Sequence, residues 1–83
     1  MKKLTMTTYK IKRISPASGY FLGEAFSTMA DARLFLADVR RKYAADAPKG
    51  DKRANRSNSD RTAVHVESGG DRLTYAIFKA EGN

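Results

Sequence analysis

Alternation of apolar and polar residues in the last third of the chain predicts a β-hairpin. Residues 61–67 and 72–80 each place their apolar side chains on one face of an extended strand. Gly69 and Gly70 lie between them and suit a two-residue turn with positive φ angles. The predicted cross-strand pairs are Val66 with Leu73, Val64 with Tyr75, Thr62 with Ile77, Glu67 with Arg72, His65 with Thr74 and Ala63 with Ala76. The turn, the apolar face and the Glu–Arg pair agree on this register, which leaves Phe78 on the outer face.

A second hairpin is predicted near the start of the chain. Residues 5–14 are rich in threonine, tyrosine and isoleucine, and the Ser-Pro-Ala-Ser-Gly segment at 15–19 is typical of a turn. Residues 20–26 form the returning strand. The facing of this strand is ambiguous because apolar residues, Phe21 among them, occur on both sides. A bulge near Gly23 would reconcile them.

A single amphipathic helix is predicted between the hairpins. Thr28 suits the N-cap position, and Asp31 follows at the spacing of a capping box. Pro48 disfavours helix just before it, so the helix is expected to fade near residues 45–47. The apolar stripe at helical spacing consists of Met29, Ala32, Phe35, Leu36, Val39 and Tyr43. Asp38 and Lys42 are spaced as an i, i+4 ion pair.

The order of elements predicts one α+β domain spanning residues 1–83. Its expected architecture is a four-stranded antiparallel sheet built from two hairpins (ββαββ), with the helix packed on one face. Residues 48–61 contain no large apolar side chain and are expected to form a basic, flexible loop. This loop is longer than a connection requires, and such loops are usually functional or disordered.

Charge and composition narrow the functional class. The 83 residues include 16 Lys and Arg against 9 Asp and Glu, a net charge of +7 and a pI near 10.0. A positive field of this size attracts polyanions, although it also serves solubility. There is no cysteine, which excludes disulfides and thiolate chemistry and favours a cytoplasmic location. No signal peptide and no membrane partner are expected, because no apolar run is long enough.

Catalytic chemistry is not indicated by any motif. The only histidine, His65, lies mid-strand beside threonine and glutamate, and the carboxylates are scattered rather than paired. Gly69 and Gly70 belong to a turn and match no phosphate-binding loop. We therefore expect a non-enzymatic protein without cofactor, metal or small-molecule substrate.

Basic residues interleaved with Asn and Ser indicate a binding surface, since that mixture contacts phosphates and base edges. The candidate residues for binding nucleic acid or a partner are Lys49, Lys52, Arg53, Asn55, Arg56 and Arg61 of the loop, Lys10 and Lys12 of the first strand, and Arg40 and Arg41 of the helix. The loop is equally consistent with a solvated linker, and lysine on an edge strand also discourages strand pairing.

Two hypotheses about function remain open. The first is a nucleic-acid-binding protein that uses the basic loop and strand, with DNA or RNA as the partner. The second is a protein inhibitor of the phage or mobile-element type (anti-defence, anti-CRISPR-like) that binds the acidic face of a nucleic-acid-processing complex. Leu34 points away from the apolar stripe, beside Arg41. It is either an ordinary exposed leucine or the centre of a contact patch rimmed by arginine.

Salt dependence separates these hypotheses. Nucleic-acid binding predicts an affinity that falls steeply with salt and is lost when Lys52, Arg53 and Arg56 are neutralised, because those contacts release counterions. Fluorescence anisotropy with labelled duplex DNA, single-stranded DNA and RNA at two salt concentrations measures this. An inhibitor would show little affinity for free nucleic acid and a binding hot spot near Leu34, Arg41 or Phe78.

Overall fold

The computed structural model describes residues 6–46 and 55–82, which form one helix packed on an antiparallel sheet. The elements are β1 (Met6–Ile14), β2 (Gly19–Phe26), α1 (Met29–Tyr43), β3 (Asn55–Ser57), β4 (Ala63–Ser68) and β5 (Asp71–Gly82), with a 3₁₀ turn at Ala44–Asp46. The strand order is β2-β1-β5-β4-β3. The α+β class is confirmed. The four-stranded ββαββ arrangement is wrong, because the described residues contain a fifth strand, β3.

The additional strand lies in the segment predicted to be a loop. Asn55, Arg56 and Ser57 have little intrinsic preference for strands, so no local pattern indicates β3. Its structure depends on long-range contacts instead. Asn55 pairs with Val66 of β4, and the Arg40 side chain of α1 donates to the Asn55 Oδ1 atom at 2.8 Å. Part of the predicted loop is therefore the edge of the sheet.

The register predicted for the last hairpin is confirmed. Val66 lies opposite Leu73, and Glu67 lies opposite Arg72. The two charged side chains form an ion pair of 3.1 Å. Gly69 and Gly70 have φ angles of 58° and 86°, which glycine adopts without the steric cost of a Cβ atom.

β2 contains an irregularity, but its apolar residues remain on both faces of the sheet. Lys10 of β1 pairs with Ala25, whereas Lys12 pairs with Phe21, so three residues of β2 lie opposite Ile11 alone. The irregularity is centred on Gly23, the position at which a bulge was predicted, but it does not bring the apolar side chains of β2 to one face. Phe21 and Ala25 share the face of Lys10 and Lys12, on the side of the sheet away from α1, whereas Leu22 and Phe26 pack against the core.

The helix begins as predicted, at a Thr28 cap whose hydroxyl accepts a hydrogen bond of 3.1 Å from the Asp31 backbone N–H. Its last turn carries three cationic residues, which suits the negative end of the helix dipole. The ion-pair prediction is wrong in its partner. Asp38 pairs with Arg41 at 2.9 Å, and the Lys42 ammonium lies over the Tyr43 ring.

One apolar layer holds the helix against the sheet. Its buried residues are Ile11, Ala32, Leu36, Val39, Val64, Val66, Leu73 and Tyr75, with Phe35, Tyr43 and Ile77 packed around them. The helix packs on one face of the sheet as predicted, and its stripe contacts the hairpin of β4 and β5. Within the described ranges, α1 is the only α-helix, so it covers one face of the sheet and leaves the other open. No helix in these ranges combines the length and apolar character needed to cross a membrane.

Truncation of Leu36 tests the importance of this layer. Leu36 is only 2% exposed, and Leu36→Ala should lower the free energy of unfolding by about 2–5 kcal/mol, because it removes buried methyl groups and leaves a cavity. Leu34→Ala on the opposite side of the helix, where Leu34 is 65% exposed, should change it by less than about 0.5 kcal/mol. Urea denaturation of both variants measures the difference, and equal losses would contradict the assigned core.

Candidate functional site

The sheet face opposite α1, here called the open face, presents a mixed aromatic and basic surface. Side chains alternate across each strand, so residues aligned with Lys12 share its side of the sheet. The open-face residues used below are Lys10 and Lys12 of β1, Phe21 of β2, Arg56 of β3, Ala63 and His65 of β4, and Thr74, Ala76 and Phe78 of β5. Across the middle of the sheet, Phe21, Lys12, Ala76 and Ala63 form one cross-strand row.

Two phenylalanines meet above β1, the strand that lies between β2 and β5. Phe21 comes from β2 and Phe78 from β5, and their ring centres are 5.7 Å apart in an edge-to-face arrangement with an interplanar angle of 79°. This geometry is favourable for aromatic quadrupoles. Even in contact with each other, the residues remain 50% and 44% exposed. The neighbouring side chains in the central row, Ala63 and Ala76, are small, so the rings project above a shallow floor.

Lysine side chains flank the aromatic pair. Lys10 lies directly opposite Phe78, and Lys12 lies opposite Phe21. The Lys12 Nζ atom is 5.6 Å from the centre of the Phe21 ring, within the range of a cation–π interaction. Neither lysine has a carboxylate partner within the described part of the chain. The open face therefore combines exposed rings with uncompensated positive charge.

His65 continues the open face toward the edge strand. Its Nδ1 atom is 3.0 Å from the Thr74 hydroxyl, and it lies opposite Arg56. Burial lowers the pKa of His65 below its ordinary value of 6.5, and the nearby charges of Arg56 and Arg72 lower it further. At neutral pH the imidazole is therefore uncharged, and a bound anion would favour its protonated form.

The predicted binding residues do not form a single cluster. Lys10, Lys12 and Arg56 share the open face, while Arg40, Arg41 and Arg61 lie on the helix side. Lys49, Lys52 and Arg53 lie outside the described residues.

Arg40 and Asn55 are hydrogen-bonded to each other. The Arg40 guanidinium donates to Asn55 Oδ1 and to Ser57 Oγ, and the Asn55 amide donates to the Arg40 carbonyl oxygen at 2.8 Å. These bonds attach β3 to α1. Arg41 is paired with Asp38, and both side chains are largely exposed, so this pair contributes little to stability. Arg40 and Asn55 thus have a structural role whatever else they bind.

Arg61 lies in a tight turn between β3 and β4. The Asn58 side chain accepts hydrogen bonds from the backbone N–H groups of Thr62 and Ala63, at 2.8 and 3.1 Å. The Asp60 carboxylate accepts another from the Thr62 hydroxyl, which lowers the pKa of Asp60. Arg61 has a φ of 57°, which is costly for a residue with a side chain. Arg61 lines a cavity beside α1.

Sequence reasoning missed two contributors to the open face, Phe21 and His65. The sequence contained one signal for this surface. The alternation of the last strand places the apolar Phe78 on its outer face. The association of Phe21 with Phe78 depends on β1 lying between β2 and β5, a pairing of strands far apart in the chain.

The dependence of stability on pH tests whether the folded protein lowers the pKa of His65. Because the folded protein holds the pKa of His65 below 6.5, the unfolded chain binds more protons as the pH falls through that value. Stability should therefore decrease between about pH 7 and about pH 5.5, with the loss beginning near the unfolded pKa. His65→Gln should reduce this dependence. Urea midpoints at the two pH values measure it, and identical pH dependence in both proteins would exclude His65 as its source.

Comparison of the chain with protein-family profiles, curated proteins and solved structures finds no match.

Proposed function

We propose that this protein binds single-stranded nucleic acid, DNA or RNA, across the open face of its sheet. The observation that supports this proposal most directly is the exposed Phe21–Phe78 pair between Lys10 and Lys12. Proteins that bind single strands combine aromatic rings, on which bases stack, with cations that contact the phosphates. The open face offers both within two neighbouring rows of the sheet.

Water exposure of the rings supports a role in binding. Burying an aromatic side chain is a large source of stability for a small domain, yet Phe21 and Phe78 leave about half of their surface in water. Single exposed apolar residues are ordinary in proteins. Here two rings from different strands are joined, and the Lys12 ammonium is held over one of them. A base stacked on either ring would cover apolar surface that the fold leaves bare.

The distribution of charge favours a track for the phosphate backbone across the sheet. Lys10 and Lys12 lie near one edge of the open face, and Arg56 lies on the strand at the other edge. Arg72 is compensated by Glu67, so it is not counted among the cations that face phosphates. Lys52 and Arg53 precede β3 in the sequence and would add nonspecific attraction. Stacking and charge alone make this binding tolerant of sequence.

Removing the rings should weaken binding to single strands. Each base stacked on an aromatic side chain contributes about 1–3 kcal/mol, so Phe21→Ala and Phe78→Ala should each raise Kd roughly five- to 150-fold. Anisotropy with a labelled oligothymidylate measures this. Leu34→Ala is the matched control, since it removes an exposed apolar side chain from the far side of the helix. Duplex DNA, whose bases are already stacked, should bind more weakly than the single strand.

Charge variants complete the experiment. Lys10→Gln with Lys12→Gln should reduce the dependence of log K on log salt by roughly 0.7 for each phosphate that the protein no longer neutralises. Lys52→Ala with Arg53→Ala provides the comparison for the loop. Equal binding of duplex and single strand, with no effect of the phenylalanine variants, would refute stacking on the open face. Absence of oligonucleotide binding at low salt would refute nucleic-acid binding altogether and favour the protein inhibitor.

A further inference from the structure

A groove on the helix side of the molecule has a different chemistry from the open face. It runs between α1 and the segment formed by β3 and the following turn, and it encloses about 520 Å³. We call it the arginine groove. Its lining residues are Ala30, Arg33, Leu34, Leu36, Ala37, Arg40, Ser57, Arg61 and Val64. No aromatic ring is among them, so the groove lacks the stacking platform of the open face.

Neutral hydrogen-bond acceptors hold two of the guanidinium groups in place. The Arg33 Nη2 atom donates to the Asp60 carbonyl oxygen at 3.0 Å, and Arg40 donates to Asn55 and Ser57. In the described part of the chain, no carboxylate lies within ion-pair distance of Arg33, Arg40 or Arg61. These bonds orient the side chains. The Asp60 carboxylate interacts electrostatically with Arg33 from beyond ion-pair distance, but the groove lining holds three arginines and no carboxylate, which favours an anionic ligand.

Arg61 provides an independent observation. Glycine or asparagine would adopt its φ of 57° at lower cost, yet the turn places an arginine there, and Arg61 lines the groove. Asn58, Asp60 and Thr62 hold the turn in shape through their side-chain hydrogen bonds. A charged residue kept at a strained position indicates a use for its side chain.

The wall formed by α1 carries aliphatic side chains between Arg33 and Arg40. Leu34 is 65% exposed and lies between Ala30 and Ala37 on successive turns of the helix. A phosphate group has no apolar part to place against this surface, whereas a peptide can present an aliphatic side chain next to carboxylates. Carboxylates also match the planar donor geometry of arginine.

We propose that the arginine groove binds an acidic peptide segment of a protein partner, with an aliphatic side chain against Leu34 and carboxylates on the three arginines. This surface is separate from the open face and does not depend on nucleic-acid binding there. The contact resembles a protein-interface hot spot, with an apolar centre rimmed by arginine.

A pair of synthetic peptides tests this proposal on the full chain. One fluorescein-labelled peptide contains glutamate and leucine, and the second contains glutamate and serine in the same order, with equal charge. The Glu/Leu peptide should bind roughly tenfold more tightly, because only it covers the aliphatic wall. Equal affinity of the two peptides, or no binding at low salt, would overturn the proposal.

Three variants that each lower the net charge by one localise the binding. Leu34→Glu should weaken the binding of the Glu/Leu peptide by roughly tenfold or more and remove its advantage in affinity over the Glu/Ser peptide. Arg61→Gly should weaken the binding of the Glu/Leu peptide by roughly fivefold. It should not reduce stability, because glycine adopts the positive φ at lower cost. Lys42→Gln is the control, since Lys42 lies on the other flank of α1, by the first hairpin. An equal loss in Lys42→Gln would show that only net charge matters and would overturn the proposal.

Backbone amide NMR shifts provide a second measurement. Titration with the Glu/Leu peptide should move the amide signals of α1 and residues 57–64 and leave those of Phe21 and Phe78 in place. Shifts confined to the open face would contradict the groove. An oligonucleotide whose binding falls in Leu34→Glu, with no binding of either peptide, would assign the groove to nucleic acid and refute a protein partner.

Discussion

The apolar contact between α1 and the three strands β1, β5 and β4 supports the whole structure. A chain of 83 residues without cysteine has no covalent cross-link to compensate for a small core. The contact uses few side chains, and those from the helix come from a single stripe around Leu36. Everything else in the described fold is arranged around this layer. One helix has apolar surface for one side of a sheet, so the second side must remain compatible with water.

That constraint explains the character of the open face. Most of its positions carry small or polar residues such as Ala63, Thr74 and Lys10, as expected for an uncovered antiparallel sheet. Phe21 and Phe78 depart from this pattern. Their mutual contact removes part of their surface from water, but the remainder stays exposed and sits among cations. The departure is local and lies over β1, between the edge strand β2 and the central strand β5.

The local sequence pattern was sufficient to predict the structure where short-range and long-range preferences agree. The last hairpin has a turn that only glycine forms easily, a consistent apolar face and a Glu67–Arg72 pair, and each of these specifies the same register. The Thr28 cap and the helix stripe are comparable cases. β3 could not be predicted, because Asn55 and Ser57 become strand residues only through β4 and Arg40. Its assignment required the tertiary structure.

In the candidate sites too, some features follow from the local sequence pattern and others require the tertiary structure. Exposure of Phe78 and Leu34 follows from alternation and helical period, and the structure bears both out. The partners of those residues do not follow, because strand order decides that Phe21 reaches Phe78, and the turn after β3 decides that Arg61 reaches the groove of Leu34. Net charge indicated an anionic ligand without showing that the cations divide between two opposite surfaces.

β3 belongs to both of those surfaces. Its Arg56 lies on the open face, and its Ser57 lines the arginine groove, yet the strand is only three residues long. Such a short edge is the kind of element that opens locally at low cost in free energy. A ligand that holds β3 in place on one side would reduce the ordering cost of binding on the other. The two surfaces would then bind cooperatively without any change in average shape, and the coupling would be equal in both directions.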